Sequence, residues 1–156
     1  MSTNKFNLFL ENARFLSNRF DIVPLLYGSL GLEYLTGDAL SSDDVDILVP
    51  RVFIIEGWHE FKVLLEAQGY VLTDEHERTF VRDGVAYSYA DIEDLESFAG
   101  IRTKDIEMCE ADGIRFLLLS LEQYLAVYRK SSKDGYRVNV RQKKDADKIR
   151  FIESKL

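Results

Sequence analysis

Two hydrophobic periods recur along the chain, one typical of helices and one typical of strands. Apolar residues at three- and four-residue intervals predict amphipathic helices, and near the start Phe6, Phe9 and Leu16 would form one such face. Ser120 followed by Gln123 has the pattern of a capping box, which marks the beginning of a helix. The predicted helices are residues 6–20, 30–35, 56–67, 121–128 and 141–154, with a polar loop at 131–139.

Short apolar or alternating runs between turn residues predict strands. Asp83-Gly84 lies between two such runs, and Asp-Gly in this setting is the strongest local signal of a β-hairpin. Ala111-Asp112-Gly113 predicts a second hairpin in the same way. The predicted strands are residues 22–27, 45–49, 70–72, 78–82, 85–89, 106–109 and 114–118. This order of elements predicts an α+β (mixed α/β) domain, in which helices pack largely on one face of a mixed sheet.

Composition then limits the class of protein. A chain of 156 residues, 46% of them hydrophobic and without repeats or linkers, predicts a single domain over residues 1–156. One cysteine, Cys109, cannot form an internal disulfide, and the polar start does not resemble a signal peptide, so we expect a cytoplasmic protein. The apolar runs are too short to span a membrane. The net charge of −7 argues against a broad nucleic-acid surface and is compatible with an acidic site for a divalent metal.

Two short motifs could carry chemistry. Gly28-Ser29 ends a predicted buried strand and opens a helix, so its free backbone N–H groups and hydroxyl could bind a phosphate. Asp44 and Asp46 are two residues apart on a predicted strand, which places both carboxylates on one face about 6–7 Å apart. Two carboxylates placed in this way can ligate Mg²⁺ (or Mn²⁺) together with phosphate oxygens and water. The structural alternatives are a common strand end and a solvated turn.

The combination of these motifs resembles the signature of the DNA polymerase β-type nucleotidyltransferase superfamily. Gly28-Ser29 is followed, after a short helix, by Asp44-Val45-Asp46 leading an apolar strand. The spacing is similar to the small aminoglycoside-nucleotidyltransferase-like and minimal branches, and the resemblance covers roughly residues 22–50. It implies a nucleotidyltransferase-like fold and transfer of a nucleoside monophosphate from an NTP, with two Mg²⁺ held by three carboxylates.

The resemblance requires a third carboxylate, on a later strand beside the Asp pair. Asp91 is the expected residue, because it follows a predicted strand and shares an alternating face with Tyr87. The family's usual position would fall nearer Tyr87 or Ser88, and neither is acidic. Either Asp91 takes that place through a shifted strand end or the third ligand is absent, and Glu93 is the next candidate. The structural alternative for Asp91 is an N-cap of a helix over residues 92–98.

The resemblance leaves two functions open. The first is a metal-dependent nucleotidyltransferase with Asp44, Asp46 and Asp91 as metal ligands and catalytic residues, an NTP as donor, and a small-molecule or protein hydroxyl as acceptor. A nucleic-acid acceptor is disfavoured by the acidic composition. The second is a catalytically inactive nucleotidyltransferase-like binding or partner module, of the kind found in toxin–antitoxin systems. The position of Asp91, which lies beyond the family's usual position for the third carboxylate, favours this second function.

Two further groups of residues have a functional and a structural interpretation. Basic residues near the end could attract a triphosphate or form a solvated helix face. Tyrosines in the same region could stack on a base, although helical spacing predicts that the first two belong to the core. The basic residues are Arg137, Arg141, Lys143, Lys144 and Lys148, and the tyrosines are Tyr124, Tyr128 and Tyr136.

Overall fold

The structure is a computed structural model that describes residues 3–132 and 140–156, with side chains over 5–132 and 145–156. The helices are α1 (Thr3–Phe20), α2 (Gly28–Thr36), α3 (Trp58–Ala67), α4 (Asp94–Ala99), α5 (Leu121–Ser132) and α6 (Val140–Lys155). The strands are β1 (Leu25–Tyr27), β2 (Asp44–Val49), β3 (Val71–Asp74), β4 (Thr79–Arg82), β5 (Val85–Asp91), β6 (Glu107–Ala111) and β7 (Ile114–Leu118).

All seven strands belong to one mixed sheet, and β2 is its central strand. The strand order is β3-β4-β5-β2-β1-β7-β6. On one side β2 pairs antiparallel with β1, and on the other it pairs parallel with β5. β1 also pairs parallel with β7, while the outer neighbours are antiparallel. The mixed sheet with its helices confirms the predicted α+β (mixed α/β) class.

Helices cover both faces of the sheet, so the prediction that they lie largely on one face is wrong. Phe9 of α1 and Phe61 of α3 share one apolar cluster with Ile47 of β2. Tyr124 of α5 shares a second cluster with Leu48, the next residue of the same strand. Successive strand residues point to opposite faces, and Ile47 and Leu48 are both buried. A central strand that is apolar on both faces requires a helical layer on each side.

The local signals for turns and caps are confirmed. In the turns Asp83-Gly84 and Asp112-Gly113, all four residues have positive φ, as a two-residue hairpin turn of this type requires. At the start of α5, the Gln123 amide N–H donates to the Ser120 hydroxyl at 3.1 Å. The Ser120 amide N–H donates in return to the Gln123 side-chain oxygen at 2.9 Å. These pairs of residues fix the β4–β5 and β6–β7 hairpins and the start of α5.

Several element boundaries differ from the sequence-based prediction for identifiable reasons. β1 begins only at Leu25, because Pro24 has no amide N–H to add to a ladder. The Pro24 carbonyl instead accepts the Leu117 amide N–H at 2.8 Å. β5 continues to Asp91, since its parallel partner β2 runs to Val49 beside it. Residues 131–132 belong to α5, and the remainder of the predicted 131–139 loop lies outside the described residues.

Candidate functional site

The Asp pair lies at the start of the central strand. Val45 and Ile47 point into the cluster beneath α1 and α3, so Asp44 and Asp46 face the opposite side of the sheet, where α5 lies. Asp44 is exposed and Asp46 is half-buried. The expected arrangement of two carboxylates on one strand face is therefore present.

The structure brings Gly28 directly against Asp46. Tyr27, the last residue of β1, pairs with Asp46 across the antiparallel ladder, and Gly28 follows with a φ of 66°. A Cβ atom at residue 28 would come within 2.5 Å of Asp46 Oδ2 and 3.3 Å of Asp46 Cβ. Only glycine combines this left-handed backbone conformation with so close an approach. The turn before α2 thus lies beside one of the two carboxylates.

Gly28 and Ser29 form the first turn of α2, whose backbone N–H groups have no partners within the helix. Tyr27, at the N-cap, provides no side-chain hydrogen bond to them. A helix N-terminus attracts anions through these N–H groups and the helix dipole. Because the turn is in contact with Asp46, a phosphate bound there would lie next to the carboxylate pair, and a cation could neutralise both.

Tyrosines from β1 and α5 form a wall of the site. The rings of Tyr27 and Tyr124 stack with centroids 6.5 Å apart, and Tyr128 stacks on Tyr124 at 6.0 Å. The buried Tyr124 hydroxyl donates to the Gly28 carbonyl at 3.1 Å, which connects α5 to the turn. The expected core position of Tyr124 is confirmed. Its contact with Gly28 is additional, and helical spacing alone gave no signal for it.

Burial and a neighbouring charge both affect the Asp44 carboxyl. The pKa of the Asp44 carboxyl is raised above its usual value, first because surrounding protein atoms partly desolvate it and second because Asp43 repels its charge. Lys5 of α1 acts in the opposite direction. Although the Asp44 side chain reaches solvent, its ionised form is thus disfavoured, and a bound cation would relieve that penalty.

Asp91 is not brought to the Asp pair. Along the parallel ladder, Asp46 pairs with Ser88 and Val49 pairs with Asp91. The two positions are three residues apart, and the rise of each strand residue therefore places Asp91 about 10 Å further along the strand. Alternation also turns it to the other face of the sheet. The shifted strand end, one of the two alternatives that the sequence leaves open for Asp91, is therefore absent between β2 and β5.

Asp91 instead has structural partners at its own end of the sheet. Its carboxylate accepts hydrogen bonds from the Arg51 guanidinium and, at 2.8 Å, from the Glu93 backbone N–H. It is 8% exposed. The bond from the Glu93 N–H lies just before α4, but α4 begins at Asp94 and its N-cap residue is Glu93, so the alternative of Asp91 as the N-cap of a helix over residues 92–98 is wrong as well. Glu93, the other candidate, lies at the same end, where its carboxylate accepts the Arg51 backbone N–H at 3.3 Å.

Ser88 occupies the β5 position beside Asp46. Its hydroxyl shares a hydrogen bond of 2.8 Å with Thr79 of β4. Within the described side chains, no three His, Cys, Asp or Glu residues cluster so that they could hold a metal ion. Asp44 and Asp46 have the donor chemistry for one divalent cation that takes its other ligands from phosphate and water. They do not match the three-carboxylate set that the sequence resemblance implies.

The C-terminal helix contributes one described basic side chain near the tyrosine wall. Lys148 of α6 places its ammonium over the Tyr128 ring, 5.9 Å from the centroid. The other members of the predicted basic cluster, and Tyr136 with them, lie outside the described side chains.

Comparison with known proteins gives one relative in sequence and several in structure. The chain is 39% identical over 147 residues to uncharacterized protein YnaI of Bacillus subtilis (strain 168), covering 94% of each chain. A comparison with profiles of protein families finds no match. In the described ranges no helix is long and apolar enough to cross a bilayer.

Solved structures that resemble the chain include ANT(2")-Ia and a nucleotidyltransferase-like protein. A crystal structure of ANT(2")-Ia in complex with adenylyl-2"-tobramycin has a TM-score of 0.63 at 12% identity, covering 98% of this chain and 90% of the other. An antigenic nucleotidyltransferase-like protein from Paracoccidioides brasiliensis has a TM-score of 0.60 at 15% identity, covering 94% and 73%. The fold is therefore nucleotidyltransferase-like, and at 39% identity over nearly its whole length the chain belongs to the same protein family as YnaI of Bacillus subtilis.

Proposed function

We propose that the protein binds a nucleoside triphosphate with one Mg²⁺ or Mn²⁺ and transfers the nucleoside monophosphate to a hydroxyl acceptor. The observation that carries this proposal is the contact between the Gly28 turn and Asp46, which joins the N-terminus of α2 to a carboxylate pair. The nucleotidyltransferase-like fold supports it. Neither motif alone would support the proposal, because a strand that ends in Gly-Ser and an Asp-x-Asp sequence are both common in proteins.

Each residue of the site has a part in this proposal. The backbone N–H groups of the first turn of α2 and the Ser29 hydroxyl bind phosphate oxygens of the NTP. Asp44 and Asp46 hold the divalent cation, which supplies positive charge to the phosphates. Tyr124, through its bond to the Gly28 carbonyl, keeps the phosphate turn against the sheet. Fixed positions and charge complementarity account for most catalysis of phosphoryl and nucleotidyl transfer.

In the transfer step, the acceptor oxygen forms a bond to the α-phosphorus while the bond to the bridging oxygen breaks. Pyrophosphate leaves with that electron pair, and the hydroxyl proton passes to solvent water. A small hydroxylated molecule or a protein side chain is the proposed acceptor, because the net charge of −7 opposes the approach of a polyanion. The neighbour solved with adenylyl-2"-tobramycin makes hydroxylated small molecules the first class to test.

A second function is favoured by the serine at position 88. Since Ser88 rather than an acid lies beside Asp46, the site offers two carboxylates where a two-metal mechanism needs more ligands. A protein that binds nucleotide and cation without transfer, and serves as a partner module, would have this arrangement. The two proposals share the nucleotide site and differ only in turnover.

A labelled-nucleotide screen separates these functions. The protein is incubated with each of four α-³²P-labelled NTPs, Mg²⁺ or Mn²⁺, and acceptors that include tobramycin, other hydroxylated molecules and the protein itself. Label transferred to an acceptor by the wild type, and abolished in Asp46→Asn, supports the enzyme. Nucleotide binding without any transfer supports the binding module. If neither binding nor transfer occurs at millimolar NTP, both proposals fail.

A further inference from the structure

One buried acid of α2 has no part in the proposed function. Glu33 is only 5% exposed, whereas glutamate is almost never fully buried without a partner. It lies four residues after Ser29, and therefore one turn further along the same face of the helix. Burial of a carboxylate is costly unless hydrogen bonds compensate it, so its partners indicate what its role is.

The hydrogen bonds that the structure gives to the Glu33 carboxylate come from one residue, Ser42. Glu33 Oε2 accepts the Ser42 backbone N–H at 3.1 Å and also accepts the Ser42 hydroxyl. Glu33 Oε1 is buried and accepts no bond from the part of the chain that the structure describes. Ser42 is itself 7% exposed and lies two residues before Asp44. The carboxylate thus holds the backbone where the chain enters β2.

The segment between α2 and β2 has few other polar contacts to fix it. It begins at Gly37, and Ser41, directly before Ser42, has a φ of 55°. A serine rarely adopts this left-handed conformation. The segment's other described side-chain bond to a distant element is an ion pair of 2.6 Å between Asp38 and Lys155, and both of these side chains are more than one-third exposed. Ion pairs between partly exposed side chains contribute little to stability, whereas Glu33 and Ser42 are both buried.

We propose that Glu33 is a positioning residue that, through Ser42, holds Asp44 beside Asp46. Like charges at Asp44 and Asp46 repel one another when no cation is bound. The bonds from Ser42 to Glu33 fix the backbone two residues before Asp44 against that repulsion. The functional meaning of this role rests on the proposed nucleotide site, whereas the anchor itself can be measured in the protein without ligand.

The first experiment measures amide hydrogen exchange in the ligand-free protein. In Glu33→Ala, we expect amides 42–44 to exchange about 10-fold faster or more, while those of Ile47 and Leu48 change little, because local opening would be confined to the strand entrance. Glu33→Gln keeps an acceptor oxygen and should restore most of the protection. Lys155→Gln removes the ion pair with Asp38 and is the matched control. It should leave the exchange rates of amides 42–44 unchanged.

Unchanged exchange in Glu33→Ala, or a uniform increase along all of β2, would overturn the proposal. If Glu33→Ala does not fold, Ser42→Ala removes the hydroxyl donor alone and should show a smaller increase confined to the same amides. No such increase would equally overturn it.

The second experiment titrates Mn²⁺ with ATP by electron paramagnetic resonance. We expect the Mn²⁺ dissociation constant to rise about 10-fold in Glu33→Ala, as is typical when support behind a metal ligand is lost, and to recover in Glu33→Gln. Wild-type protein that binds no Mn²⁺ or ATP would defeat the proposed function, while the exchange result would still decide the anchor. Wild-type binding that is equally strong in Glu33→Ala would defeat the positioning role alone.

Discussion

Residue 28 leaves room for the Asp46 carboxylate only because it is glycine, since a Cβ atom there would approach Asp46 Oδ2 to 2.5 Å. Gly28→Ala should therefore cost about 2–3 kcal/mol of unfolding free energy, from the left-handed backbone and the displaced carboxylate together. The displacement should also weaken binding of Mg²⁺ and ATP. Chemical denaturation measures the first effect and calorimetric titration the second.

Gly100→Ala is the matched control for this change. Gly100 has a φ of 71°, close to the 66° of Gly28, but no heavy atom lies within 4 Å of the Cβ position. It should lose only the backbone contribution, about 1 kcal/mol, and keep nucleotide binding. Equal losses of stability in both variants, with binding intact in both, would mean that Asp46 tolerates the added methyl group.

Neutralising Asp44 should stabilise the ligand-free protein at neutral pH. Its folded pKa is raised, so the folded state binds the proton more tightly than the unfolded state, and ionisation costs stability. The advantage of Asp44→Asn should therefore be full at pH 7. It should shrink as pH falls through the folded pKa and vanish below the unfolded value of about 3.9. Urea unfolding at a series of pH values measures this difference.

In the presence of Mg²⁺, the wild type should become more stable than Asp44→Asn. At about ten times its dissociation constant, Mg²⁺ stabilises a protein that binds it only when folded by about 1.4 kcal/mol. The wild type should gain this amount and Asp44→Asn should gain much less. Asp43→Asn is the control, because it removes a neighbouring charge without removing a proposed ligand. Mg²⁺ stabilisation that survives in Asp44→Asn would exclude Asp44 as a ligand.

Local rules predicted the parts of the site that depend on neighbouring residues in the chain. Asp44 and Asp46 share a face because strands alternate, and Asp83-Gly84 forms its turn because both residues tolerate positive φ. The resemblance over residues 22–50 led to the nucleotidyltransferase-like fold. These predictions needed no knowledge of how distant segments meet.

The error at Asp91 arose from register between distant strands. Which β5 residue faces Asp46 depends on how β2 and β5 align, and that alignment is set by the packing of buried residues such as Ile47 and Tyr89. A shift of one residue in this alignment would turn every β5 side chain to the opposite face of the sheet. The second helical layer was missed for a similar reason, because the apolar stripes of α2 and α5 do not reveal which face of the sheet they cover.

Ser88→Asp should add the carboxylate that the site lacks, because Ser88 pairs with Asp46 on the same face. We expect Mn²⁺ to bind about 10-fold more tightly. Charge repulsion and the lost Thr79 hydrogen bond should cost the ligand-free protein about 2 kcal/mol. Ser88→Asn has the same shape without the charge and should show no gain. Titration with Mn²⁺ measures the affinity of each variant. Equal affinities would show that a carboxylate at residue 88 does not bind the metal.

Asp91 should matter for stability and not for the nucleotide site. Its carboxylate accepts from the Glu93 amide and lies opposite the Arg51 charge. Asp91→Asn keeps the acceptor but loses the charge, which should cost about 1 kcal/mol, whereas Asp91→Ala should cost about 2–3 kcal/mol. Both variants should bind ATP and Mg²⁺ as the wild type does. Loss of Mg²⁺-dependent stabilisation in Asp91→Asn at pH 7 would return Asp91 to the site.

The close approach of α2, β1 and α5 predicts a non-additive pair of substitutions. At residue 31 a Cβ atom would overlap the Tyr124 hydroxyl and come within 2.5 Å of the Leu26 carbonyl oxygen. Gly31→Ala should therefore cost about 3 kcal/mol or more. Tyr124→Phe removes the bond to the Gly28 carbonyl. The loss of that bond should cost about 1 kcal/mol.

Together the two changes should cost less than their sum by about 1 kcal/mol or more, because the Phe ring no longer places an oxygen where the new methyl group would be. The double variant should still be less stable than wild type, since the Leu26 carbonyl remains in the way. Tyr70→Phe is the control, because it removes a hydroxyl that accepts a hydrogen bond from Arg82. Its cost in unfolding free energy should add to that of Gly31→Ala. The costs are measured by urea unfolding. Additive costs for Gly31→Ala and Tyr124→Phe would show that the Tyr124 hydroxyl does not limit the space beside residue 31 of α2.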